Sequence, residues 1–79
     1  MIPENQILIL NLLRESELNS YQVGQKLGTS ESVAAIYLVH LERHGYLESV
    51  MKEVTKNGKP FLFRFYSLSE KSRQILEKS

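Results

Sequence analysis

Seven of the ten cationic side chains lie in residues 49–79, and four of them, Lys52, Lys56, Lys59 and Arg64, surround an Asn57-Gly58 pair. That stretch carries three acids against seven bases, whereas residues 1–48 carry six against three, so a net charge of +1 conceals a basic final third. Cations gathered around a sharp turn are suited to phosphate oxygens. The competing reading is a solvated turn whose lysines also guard a strand edge.

His40 and His44 stand four apart with Glu42 between them, a helical spacing by which two imidazoles can hold zinc. Two ligands from one helix need a third, and no motif supplies it, so no metal is expected and His40 reads as a surface or ligand-facing residue. The chain has neither Cys nor Asp, and its four glycines are scattered in the pattern of caps and turns. No catalytic nucleophile with its base and no phosphate-cradling glycine loop can be assembled, so neither an enzyme nor a bound cofactor is expected.

With 42% apolar and 24% charged residues among 79, the composition is that of an ordinary folded domain, and the length suggests one domain over residues 1–79. The lack of cysteine suits a cytoplasmic setting. The apolar run of residues 7–13, broken by Asn11, is far shorter than the roughly 20 residues of a membrane helix, and the start does not read as a signal peptide.

These candidate residues require elements to hold them. Pro3 suits the first turn of a helix over residues 3–15. On its wheel Leu8, Ile9, Leu12 and Leu13 form one broad face, leaving Ile7 and Leu10 outside the centre. Asn19 or Ser20 can cap a second helix through Tyr21, Val23 and Leu27, stopped by Gly28. Ser30 caps a third, in which Ala34, Tyr37, Leu38 and Leu41 form the buried stripe and which Gly45 ends. After Gly45 the pattern changes to β-branched and aromatic residues over 46–54 and 60–68, a hairpin with Asn-Gly at its tip. Ser69 caps a short last helix that can pack Ile75 and Leu76 inward. Tyr21 and Tyr37 read as core by their helical spacing. The expected fold is α+β, mainly α: a winged helix-turn-helix of three helices, a β-hairpin wing and a short C-terminal helix.

Particular segments sharpen this. Ile7-Leu8-Ile9-Leu10-Asn11-Leu12-Leu13 followed by Leu18-Asn19-Ser20-Tyr21-Gln22-Val23 resembles the opening of PadR-like regulators. Leu41-Glu42-Arg43-His44-Gly45-Tyr46-Leu47 is similar to the junction of recognition helix and wing in PadR-like and, less closely, MarR-like proteins. Arg64-Phe65-Tyr66-Ser67-Leu68-Ser69-Glu70-Lys71 resembles the close of the PadR wing. The sequence departs from the PadR pattern at Ala35-Ile36, where an aromatic-proline pair is usual, and at Ser20 and Ser72, where glycine is usual. With the sequence running to Ser79, the long C-terminal dimerisation helices of that family are not expected here.

The resemblance implies a homodimeric, sequence-specific regulator of transcription, most naturally a repressor, bound to double-stranded DNA. In that geometry the third helix enters the major groove and the wing reaches the backbone or minor groove. The residues so placed are Thr29, Ser30, Ser32, Val33, Ile36 and His40 from the helix, and Lys52, Lys56, Asn57, Lys59 and Arg64 from the wing. For Thr29, Ser30 and Ser32, helix capping is the plainer alternative. Surplus apolar side chains, Ile7, Leu10, Phe61 and Phe63, are the expected dimer contact. The other functional reading is a winged helix that docks a protein through Val33, Ile36 and Val39 and the phenylalanine strand without touching DNA.

Overall fold

The structure is a computed structural model that describes residues 4–78, so the expectation for Pro3 lies outside the described residues. The elements are α1 (Glu4–Leu12), β1 (Leu18–Asn19), α2 (Ser20–Leu27), α3 (Glu31–Arg43), β2 (Leu47–Lys56), β3 (Lys59–Leu68) and α4 (Glu70–Glu77). Helices α2, α3 and α4 each open at a residue that satisfies backbone groups locally. The Asn19 side chain accepts from the Gln22 N–H while the Gln22 side chain accepts from the Asn19 N–H, at 2.9 and 3.0 Å, a reciprocal cap for α2. Gly28 ends α2 at φ 72°, and two residues later Ser30 Oγ accepts from the Val33 N–H to open α3.

At the far end of α3, Gly45 takes φ 82°. Its N–H reaches the Glu42 carbonyl and the Tyr46 N–H reaches that of Leu41, a left-handed stop that only glycine adopts without strain. The chain then enters the hairpin. Ten residue pairs run in antiparallel register from Leu47 opposite Leu68 to Lys56 opposite Lys59. Asn57 and Gly58, at φ 54° and 76°, form the two-residue turn whose twist matches the strands. A third strand that the sequence pattern does not reveal, β1, pairs Leu18 with Tyr66 and Asn19 with Phe65, giving the order β1-β3-β2.

The core gathers Ile9, Leu10 and Leu13 with Leu18, Val23, Ala34, Leu38, Leu41, Leu47, Tyr66 and Leu68. Here four expected placements are corrected. Leu10, assigned to a dimer contact, is 1% exposed, while Leu8, assigned inward, is 52% exposed. The reason is that α1 is apolar on almost every side, so its pattern carries no direction; the line Gln6, Ile9, Leu10, Leu13 turns inward because the other elements lie there. Tyr21, expected in the core, is 50% exposed, because α2 buries Val23 and Gly24 instead. In α4 Leu76 packs on the core as expected, but Ile75 stays exposed.

Gly24 is neither cap nor turn. It lies inside α2, where an added Cβ would come within 3.0 Å of the Thr29 carbonyl oxygen and 3.1 Å of that of Ser30. The helix-turn-helix closes this tightly only because that position is bare. Alanine there would gain about 1 kcal/mol of helix propensity, but it presses on backbone that cannot swing aside, and overpacking costs about 1–3 kcal/mol. The expected outcome for Gly24→Ala is a lower urea midpoint; an unchanged or higher one would show that the turn has room to yield.

Candidate nucleic-acid interface

Successive residues of an α-helix step about 100° around its axis. With Ala34, Leu38 and Leu41 buried, the outermost line of α3 runs through Ser32, Ile36, His40 and Arg43, and all four are exposed. Val33 and Val39 flank this line and are exposed too. The structure thus brings Ser32, Val33, Ile36 and His40 onto one outer surface. Ser30 holds the helix cap, as the plainer reading supposed, and Thr29 turns its N–H to the Gly24 carbonyl. The His40 and His44 rings lie 4.4 Å apart, tilted.

The hairpin divides its cations between two faces. Register and alternation put Lys52, Lys56 and Lys59 on one side together with Phe61, Phe63 and Phe65, and Arg64 on the other with Met51 and Tyr66. Lys52 pairs with Glu17 and lies 5.9 Å from the centre of the Phe65 ring. Lys56 stands 5.9 Å over Tyr21. Lys59, next to the tip, has no ion-pair partner among the described residues. Phe63, expected at a dimer contact, and Phe65 instead share a cleft. With Tyr21, Gln22, Gln25, Glu31, Val54 and Lys56 they line a cleft of about 530 Å³ between the hairpin and the starts of α2 and α3.

Arg64 has work inside the chain. Its guanidinium donates to Ser49 Oγ at 2.9 Å, and that hydroxyl donates to the Glu42 carboxylate at 2.5 Å. The chain of bonds links the base of the hairpin to the last turn of α3. Burial beside it raises the Tyr66 phenol above its ordinary 10.0; the Glu42 carboxylate raises it further and Arg64 pulls it back. The base is also stitched to α4: Ser72 Oγ and the Ser69 N–H both donate to the Tyr46 carbonyl, and Ser69 Oγ donates to that of Gly45.

Sequence patterns missed Tyr21 in the cleft, the Lys52–Glu17 pair and the Arg64–Ser49–Glu42 chain. The last was within reach, because an Asn-Gly tip fixes the register that sets Arg64 diagonal to Ser49. Glu17 lies 35 positions from Lys52, and nothing local marks the pair.

No protein-family profile and no curated protein sequence matches the chain. Solved structures do. PadR of Bacillus subtilis in complex with operator DNA superposes with a TM-score of 0.74 over 92% of this chain and 44% of that one, at 23% identity. A Lactococcus lactis ZitR variant in complex with DNA gives 0.76 over 98% and 49%, at 22% identity. A PadR family transcription regulator from Clostridium difficile gives 0.78 over 96% and 82%, at 17% identity. The chain has the winged-helix fold. It spans about half the length of the PadR and ZitR chains; α3 stands where the fold has its recognition helix, and the β2-β3 hairpin is the wing. No helix among the described residues is long and apolar enough to cross a membrane.

The Tyr66 shift has a definite sign. The native chain keeps a proton that the unfolded chain sheds above pH 10, so the stability tied to Tyr66 is intact below that pH and declines as pH climbs past it. Tyr66→Phe should therefore show a shallower fall of unfolding free energy between about pH 9 and pH 11 in denaturant titrations. Parallel curves for the two proteins would show that burial of the phenol does not couple to folding.

Proposed function

We propose that this chain binds double-stranded DNA as a transcription regulator, acting as one winged-helix unit over residues 1–79. The observation that carries the reading is a juxtaposition: the start of α3, through Glu31, and the basic wing, through Lys56, line the two sides of one cleft. We take the outer line of α3, which begins at the next residue, Ser32, and the wing tip to serve one binding surface. Helix α3 occupies the major groove with Ser32, Val33, Ile36 and His40 toward the bases, and Thr29 and Ser30 sit at its N-terminal end near the backbone. Lys56, Asn57 and Lys59 bring the wing tip to the neighbouring phosphates or minor groove, with Lys52 behind them. Arg64 contributes by holding the wing against α3.

The active species is a homodimer on a pseudo-palindromic site, its recognition helices about one turn of DNA apart. One copy offers few cations, and a second doubles them. With Leu10 in the core, Ile7 and the neighbouring Leu8 on the outer side of α1 are the apolar contacts left on that helix, and Phe61 remains exposed on the wing. Repression follows most simply, since a dimer seated on a duplex excludes other proteins from it. The structures of PadR and ZitR bound to DNA support this use of the fold.

One specific observation favours a second reading. No lysine lies on α3, and its single arginine, Arg43, is the last residue of the helix, so a protein partner could seat on Val33, Ile36 and Val39.

Gel retardation as a function of salt separates the two readings. Each neutralised phosphate contributes a slope of about −0.9 in log K against log salt. Changing Lys56 and Lys59 together to Ala should weaken binding to all duplexes and reduce the slope by about 2 per protomer. A duplex affinity indifferent to salt, or no retardation at low salt, overturns the DNA reading; a stoichiometric protein complex formed without retardation establishes the other.

A further inference from the structure

The surface assigned to the major groove is aliphatic at its centre. Ile36, on the outermost line of α3, is 67% exposed, and Val33 and Val39 to either side are each 39% exposed. Single exposed apolar side chains are ordinary; three on one face, beside a shallow groove of about 380 Å³ lined by Ala35, Ile36, Val39, His40 and Arg43, form a patch that asks for a ligand. Charge points to a polyanion: Arg43 lines the same groove, and Lys56 of the wing lines the neighbouring cleft together with Glu31 of the same helix. Between Glu31 and Arg43 there is no Asn, Gln or Lys, so neither adenine nor guanine can be read by the usual bidentate pairs from the first turns of the helix. What an aliphatic surface meets in a major groove is the C5-methyl group of a pyrimidine.

We infer that α3 selects its site by a row of pyrimidine C5-methyl groups, with Ile36 as the central reader and Val33 and Val39 on either side. Thymine is the ordinary carrier of that group, and 5-methylcytosine presents the same methyl. The inference rests on the DNA-binding reading above and names what that surface reads.

The test uses the 79-residue chain and the duplex it selects from a random pool. Each thymine of the selected site is replaced in turn by deoxyuridine, which removes the methyl and nothing else. Binding should weaken about fourfold at each thymine beneath the three side chains, the equivalent of roughly 0.8 kcal/mol per buried methyl-sized group. Ile36→Ala, a change at an exposed position whose unfolding transition should match the parent's, should bring the thymine-to-uracil ratio at the central position close to one. Lys59→Ala should weaken both duplexes by the same factor and leave the ratio intact. Exchanging the central T·A pair for 5-methylcytosine·G identifies the carrier. Retained affinity means that the methyl alone is read; loss means that it is read within a T·A pair, as thymine. Equal affinity for thymine and uracil duplexes at every position, with retardation intact, overturns methyl readout and leaves the regulator reading standing. Failure to retard any duplex at low salt, or occupation of the patch by a protein or by a second copy of the chain in place of DNA, overturns both.

Discussion

The junction of Gly45 and Tyr46 is the constraint on which the rest of the molecule depends. A left-handed residue there stops α3 and turns the chain straight into β2, so Leu47 enters the core one residue after the turn. The Tyr46 carbonyl then accepts from both the Ser69 N–H and the Ser72 hydroxyl, which seats the first turn of α4 on the same spot. Arg64, Ser49 and Glu42 brace the opposite side of the joint. Helix α3, the wing and the last helix thus share one rigid vertex. The angle between the two surfaces proposed to grip DNA is set by hydrogen bonds that need no partner to form.

Stability and binding are assigned to different residues. The fully buried side chains are aliphatic apart from Ser72, which is bonded, and no buried side-chain nitrogen or oxygen of the described residues lacks a partner. The cations stand almost entirely outside this core. A surface pair such as Lys52 with Glu17 contributes about 0–1 kcal/mol; among the described residues Lys56 meets only the exposed Tyr21 ring, and Lys59 has no ion-pair partner. Their clustering at a wing tip is therefore weakly explained by the fold and better explained by a polyanion. The same holds for Ile36, whose exposure does nothing for the folded chain in water.

The parts of the molecule that were legible are those decided within a few residues. Asn19, Ser30 and Ser69 cap helices because their side chains reach N–H groups three positions on, and Asn57-Gly58 makes a tight hairpin because both residues tolerate positive φ. The parts that were not legible depend on distant neighbours. The inward side of α1 could not be read from a helix apolar all round, which is why Leu10 and Leu8 exchanged places. Strand β1 is two residues long and exists only because β3 offers an edge. Gly24 is required by the carbonyls of Thr29 and Ser30 pressing on it, a contact with no signature in composition. For the candidate site, the wing lysines and outer α3 residues could be named from periodicity and charge. The internal engagement of Lys52 and Arg64 depends on how the wing folds back.

That engagement shapes how a duplex would be held. With Lys52 on Glu17 and Arg64 on Ser49, the cations most available to phosphates in each copy are Lys56 and Lys59. Electrostatic attraction is insensitive to sequence and fades with salt, so a surface with few free cations holds random DNA loosely. Apolar contact in the groove behaves oppositely: it is nearly independent of salt, is proportional to area removed from water, and exists only where a methyl group meets Ile36 or a valine. On the proposed reading such a chain trades total affinity for contrast between sites, and the proposed second copy would recover affinity by adding its own cations and methyl contacts. On that reading the sparse charge of α3 has a physical role: fewer cations there would mean less binding to every wrong sequence.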